Sequence, residues 1–221
     1  MRRLHRLAGL TLALPLVVWT VTGLLFHVKH RYAEAYEPLA VPFTANELYA
    51  RSVFSPAMLQ ARGHFDAGKP LTLATHAWGL VAYFGQKDGH AVAVDSASGD
   101  PIPVASEATA RLWVKAAVAA SKHAARYGEV ARVTETRRTS SLTGAAGPAF
   151  VFDLTGGKRI TVDRVTGELS QTGDLNAFID LTYRLHYLQW TPWKPVNLAL
   201  VLLAMPLVLF LAGSGLRMAL R

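Results

Sequence analysis

LAGLTLALPLVVWTVTGLLF, residues 7–26, carries no charged side chain in twenty positions. A helix of that length rises about 30 Å, the thickness of a bilayer's hydrocarbon core. A second run, VNLALVLLAMPLVLFLAGSGL (196–216), repeats the pattern near the other end of the chain. Pro15 and Pro206 lie inside the two runs, where membrane helices tolerate them. The sequence therefore predicts two transmembrane helices with everything else between them. Arg2, Arg3 and Arg6 open the first run as they would a signal peptide. Its apolar core is too long for one, however, and HVKHRY follows it instead of a small-residue cleavage site. An uncleaved signal anchor is expected.

The basic flanks orient the chain. Arg2, Arg3, Arg6, Arg217 and Arg221 lie on the outer ends of the two runs. The positive-inside rule puts both termini in the cytoplasm and the intervening part in the periplasm of a bacterial inner membrane. Of 23 Lys+Arg, these five are anchoring charges, and the remaining 18 nearly balance 15 Asp+Glu. The high pI is thus a membrane signal and gives no reason to expect nucleic acid as a partner. The chain has no cysteine, which excludes disulfides, iron–sulfur clusters and thiol catalysis. No nicotinamide or flavin motif is present, and no GxSxG or SxxK.

Between the runs the sequence repeats itself. GHAVAVDSASGDPI (89–102) and GKRITVDRVTGELS (157–170) align with an offset of 68 residues. Each reads as an alternating strand followed by V-D-x-x-(S/T)-G-(D/E), a turn whose glycine takes the left-handed position. LVAYFG (80–85) and AFVFDL (149–154) supply the strands before them. A helix is expected ahead of each group: 44–63, interrupted by Pro56, and 106–128, capped by Ser106 and closed by Gly128. RRTSSLTGAAG (137–147) reads as a mobile basic loop. A further amphipathic helix over 174–190 places Leu175, Ile179, Thr182, His186 and Trp190 on one stripe. Its aromatic residues suit a membrane interface.

The order of these parts resembles the PepSY-associated transmembrane family. The resemblance is carried by LHRLAGLTLALPLVVWTVTGLLF with its Thr22–Gly23 pair, by the two V-D-x-x-(S/T)-G-(D/E) turns, and by YRLHYLQW (183–190) before a span ending SGL. It implies an α+β ectodomain of two PepSY-like helix/antiparallel-sheet repeats anchored by two transmembrane α-helices. The expected division is residues 1–28 for the cytoplasmic end and first span, 29–103 and 104–173 for the two repeats, 174–193 for the interfacial helix and 194–221 for the second span and its cytoplasmic end. Larger members include haem-containing reductases in siderophore-iron uptake. The resemblance therefore implies a haem-linked electron-transfer or reductase-associated component. This chain departs from those members in having only two spans.

Histidines are the residues that would carry such chemistry. His5 and His27 stand 22 residues apart. At 100° per residue they share a face, roughly 33 Å apart, with Gly9 and Gly23 between them. His27 and His186 are expected at the same membrane edge on different helices, where they would ligate a haem b iron from opposite sides. His30 follows one turn beyond His27 as a substitute ligand or a propionate partner. His5 has no second histidine near it, so it needs a homodimer or a larger membrane complex to complete a site. Against this stands the plain alternative that these are interfacial packing residues among lipid. His64, His76, His90 and His123 show no ligand spacing and read as surface or satisfied histidines. The competing function is a non-catalytic, membrane-anchored binding or regulatory module that recognises a peptide, protease or partner protein through its sheets.

Overall fold

The computed structural model describes residues 2–42 and 53–220. They divide into two compact units. The first contains residues up to Ala33 and from Leu175 onward, and the second runs from Glu34 to Asp174.

The first unit is helical. α1 spans Arg2–His27 and α5 spans Lys194–Ala219. Both are long and apolar enough to cross a membrane. Leucines stay exposed all round them, as with Leu7, Leu10, Leu14, Leu198, Leu203 and Leu209. A helix that is apolar on every side has lipid as its natural solvent. The residues these helices do bury are Leu12, Thr22 and Ser214, so two of the three are hydroxyl-bearing. A 3-10 helix over Lys29–Tyr36 follows α1. α4, Asp174–His186, is shorter than the sequence predicts: Leu188 turns left-handed (φ 53°) and ends the helical stripe before Trp190. Ile179 and Thr182 of that stripe are buried.

The second unit holds two antiparallel sheets. β1 (Thr72–Thr75), β2 (Val81–Lys87) and β3 (His90–Asp95) form one, in that order. β4 (Val130–Thr139), β5 (Ala146–Leu154), β6 (Arg159–Asp163) and β7 (Leu169–Thr172) form the other, again in sequence order. α3, Glu107–Ala120, buries Ala110, Trp113, Val114 and Ala117 with Phe150, Phe152, Ile160 and Val162 of the second sheet. The Ser106 side chain accepts from Thr109 N–H at its start, a cap that contributes about 1 kcal/mol. The helix stops at Ser121, short of Gly128.

The repeated turns have the same construction. Asp95 Oδ1 accepts from the N–H groups of Ala97 and Ser98, and Asp163 Oδ1 accepts from those of Val165 and Thr166. Gly99 (φ 76°) and Gly167 (φ 72°) then return N–H bonds to the carbonyls of Asp95 and Asp163. Val94 and Val162, just before the aspartates, are both buried. Beyond the turns the two groups differ. β7 forms a strand, whereas its counterpart shrinks to a single bridge between Val94 and Pro101. Pro101 and Pro103 lack the N–H groups that a ladder needs.

Two further local expectations change. Within the 44–63 segment, positions 44–52 lie outside the described residues; the helix found there, α2 at Pro56–Ala61, begins at the proline that was expected to interrupt it. Ser55 caps it and proline fits its first turn. The basic stretch 137–147 is the end of β4, a tight turn closed by Ser140 N–H to Ala145 O, and the start of β5. β4 itself escapes sequence reading because it is an edge strand with nearly every residue exposed, so it lacks an apolar alternation.

Candidate functional site

Two imidazoles in the helical unit are seated in the same way, at opposite ends of α1. His186, the last residue of α4, stacks on Trp19 (centroids 5.4 Å apart, planes 15° apart) and meets Phe26 edge-on at 4.7 Å. Its Cε1 lies where a Cβ on Gly23 would come within 3.4 Å, so the absent side chain makes room for the ring. Its Nδ1 is 3.1 Å from Thr22 Oγ1. His5 repeats the arrangement against α5. Its Cε1 lies 3.5 Å from where a Gly215 Cβ would stand, and its Nδ1 is 2.7 Å from Ser214 Oγ. Each ring thus sits on a hydroxyl–glycine pair of a neighbouring helix.

An apolar cavity of about 390 Å³ adjoins His186. Leu12, Leu16 and Trp19 of α1 line it, as do Tyr187, Leu188, and Val201, Met205 and Val208 of α5. His186 is the sole histidine in that lining. Among the described residues no hydrogen bond reaches its Nε2. A half-buried imidazole in the lining of an apolar cavity, with one nitrogen hydrogen-bonded and the other without a partner among the described residues, would suit a haem, whose ring is apolar and whose iron takes imidazole nitrogen.

The other expected ligands are placed differently. His27 ends α1, exposed, one helical turn beyond Gly23, and does not line the cavity. His30 lies on the 3-10 helix backbone, and its side chain is outside the described residues. His64 and His123 are half-buried and His90 is exposed. Among the described residues no three His, Asp or Glu side chains group as a metal site.

His76 in the second unit is the buried histidine that spacing did not single out. Its ring is fully buried, with Nε2 donating to Val165 O at 3.1 Å and Nδ1 accepting from Trp78 N–H at 3.2 Å. Burial pushes its pKa down to about 4. A second polar cluster surrounds Lys158, which is buried and bridges to Glu34 at 2.8 Å while its ammonium lies over the Tyr127 ring. The hydrogen bond from Lys158 holds the Glu34 carboxyl below its usual range, and burial pushes Tyr127 up to about 12. Tyr127 OH donates to Gln171, whose amide donates in turn to the carbonyls of Glu34 and Glu37. Every group there already has a partner, which is the signature of a structural network.

Thr22 and Ser214 are the site residues that sequence reasoning passed over. Their signal was visible as the dipeptides Thr22–Gly23 and Ser214–Gly215 inside otherwise apolar runs.

Two lipid-compatible helices, an α+β unit of antiparallel sheets in the chain between them, and imidazoles seated on the helices define a membrane-anchored protein of mixed architecture. The family described as the PepSY-associated TM region matches residues 2–221, and the chain belongs to that family. No curated protein and no solved structure matches it.

Proposed function

We propose that this protein is a haem-linked electron-transfer or reductase-associated component of a bacterial inner membrane, serving iron or siderophore handling. The observation that supports the reading is His186: its Nδ1 is held by Thr22, its Nε2 has no hydrogen-bond partner among the described residues, and the residue lines an apolar cavity. A bound haem would supply one-electron chemistry. His186 would hold the iron, with the Trp19 and Phe26 rings fixing the angle of its imidazole. Leucines and valines of the cavity would keep water away from the bound group. His27, exposed at the end of α1 and outside the cavity lining, would have to turn toward it to serve as the second ligand, with His30 as its substitute. The small helical unit covers little of a porphyrin, so a homodimer or a larger membrane complex closes the site. Both termini face the cytoplasm and the sheets lie in the periplasm, as the terminal arginines direct.

The test is an absorption spectrum of the full chain, made with ample haem and purified in mild detergent, oxidised and then dithionite-reduced. A Soret band with six-coordinate features is expected in the wild type. Its loss is expected in both His186→Ala and His27→Ala. Absence of the band in the wild type, or its persistence unchanged in both variants, rejects the reading.

One observation favours the second reading, a binding or regulatory module. β4 is a ten-residue edge strand with most of its residues exposed, and an edge of that length is suited to accept an added strand from a partner. That reading expects the histidine variants to keep full function.

A further inference from the structure

We infer that Thr22 and Ser214 are positioning residues that hold His186 and His5 in the Nδ1–H tautomer, so that each ring presents a bare Nε2 lone pair. The inference deepens the haem reading and rests on it only for what occupies Nε2; the tautomers themselves follow from hydrogen-bond bookkeeping.

Thr22 Oγ1 lies 2.8 Å from Val18 O, 3.1 Å from Trp19 O and 3.1 Å from His186 Nδ1. A hydroxyl has one proton and two lone pairs, and a carbonyl only accepts. Two arrangements exist. In one, Nδ1–H donates to Oγ1 and Oγ1–H donates to the carbonyl, which makes two bonds. In the other, Oγ1–H turns to a bare Nδ1 and the chain stops there, which makes one. In apolar surroundings the two-bond relay is preferred, because its members polarise one another and no water replaces the lost bond. Ser214 repeats the geometry, with Oγ 2.6 Å from Phe210 O, 3.3 Å from Leu211 O and 2.7 Å from His5 Nδ1.

The glycines complete the device. Gly23 and Gly215 each follow the hydroxyl residue and lie beside the ring's Cε1 edge, 3.4 and 3.5 Å from where a Cβ would stand, while Nδ1 meets the hydroxyl. A neutral imidazole protonated on Nδ1 carries its lone pair on Nε2, the form in which histidine binds a metal while its other nitrogen is anchored. The same seat occurs twice, on different helices and at opposite ends of α1. His5 therefore has a role that its lack of a nearby second histidine had hidden: it is a preset imidazole at the other end of the helical unit.

The test uses the full chain in detergent without haem, labelled with ring-15N histidine, at about pH 8, above the usual histidine range. His186→Gln and His5→Gln assign the two rings. In the wild type both rings are expected to show a protonated Nδ1 and an unprotonated Nε2, with an excess over the other tautomer of roughly fivefold or more, the worth of one net hydrogen bond. Thr22→Val is expected to abolish that bias at His186 alone and Ser214→Ala at His5 alone. Thr22→Ser keeps it. A wild-type His186 protonated on Nε2, or a Thr22→Val variant with the pattern unchanged, overturns the inference. Adding haem to the same samples separates the two claims. Preset tautomers without a Soret band leave the positioning inference standing and reject the haem site. A Soret band that persists with equal intensity and unchanged reduction potential in Thr22→Val shows that the hydroxyl does not serve haem ligation.

Discussion

His76 and His186 are both packed among aromatic rings, one in each unit, and they differ in a single nitrogen. His76 touches Trp78, Phe84 and Trp113, and both of its nitrogens are bonded to backbone. His186 touches Trp19, Phe26 and Tyr187, and one nitrogen is bonded while the other is open. The first arrangement spends the whole hydrogen-bonding capacity of the ring on the fold, joining the turn after β1 to the turn after β6. The second leaves one nitrogen without a hydrogen-bond partner among the described residues. Aromatic packing therefore looks alike at the two rings; the count of bonded nitrogens separates them.

The comparison breaks first if the two residues exchange roles under mutation. His186→Ala is expected to remove the haem absorption of the loaded protein completely while unfolding of the sheet unit is unchanged. His76→Ala is expected to do the reverse. It empties a fully buried site and strands the Val165 carbonyl and the Trp78 N–H, at about 3–4 kcal/mol. Chemical denaturation followed by tryptophan fluorescence, beside the haem spectrum, reads both outcomes.

A pH series sharpens the point. The folded pKa of His76 is about 4, below its ordinary value of 6.5. Between those values the unfolded chain binds a proton that the folded chain refuses, so stability falls as pH drops through the window and is fully present above it. The loss attributable to His76 approaches about 3 kcal/mol near pH 4. It is measured as the difference in pH slope between wild type and His76→Ala. An equal slope in both assigns the acid sensitivity to carboxylates such as Glu34, whose lowered pKa acts in the same direction but at lower pH.

The smallest effect is expected at the seats themselves. Gly23→Ala puts a Cβ 3.4 Å from His186 Cε1, at the inner limit of ordinary van der Waals contact. Haem affinity is expected to fall by roughly tenfold or less, about 1 kcal/mol, the scale of a slight overpacking. Gly213→Ala, one helical position before Ser214, meets nothing within 4 Å and is the matched control in a haem titration.

Much of this was written in the local sequence. An uncharged run of twenty residues has few destinations other than lipid, so both spans were legible to within a few residues of α1 and α5. The aspartate–glycine turns were legible because a carboxylate that accepts from the amides two and three residues on and a left-handed glycine act within five residues. β1 and β4 were not, because β1 is four residues long and β4 is mostly exposed, so neither carries an apolar alternation. The shortening of α4 was hidden as well, since Leu188 adopts a left-handed turn that leucine does not advertise.

The sequence by itself determined the two membrane helices, the repeated turns, the absence of thiol chemistry and the small set of histidines from which any site must be drawn. Only the tertiary structure decided what His5, His76 and His186 bond to. Hydrogen bonds to Thr22, Ser214, Val165 and Trp78 come from residues up to 209 positions away. The chemical state of an imidazole depends on which of its two nitrogens is satisfied, and that is set by neighbours in space rather than by neighbours along the chain.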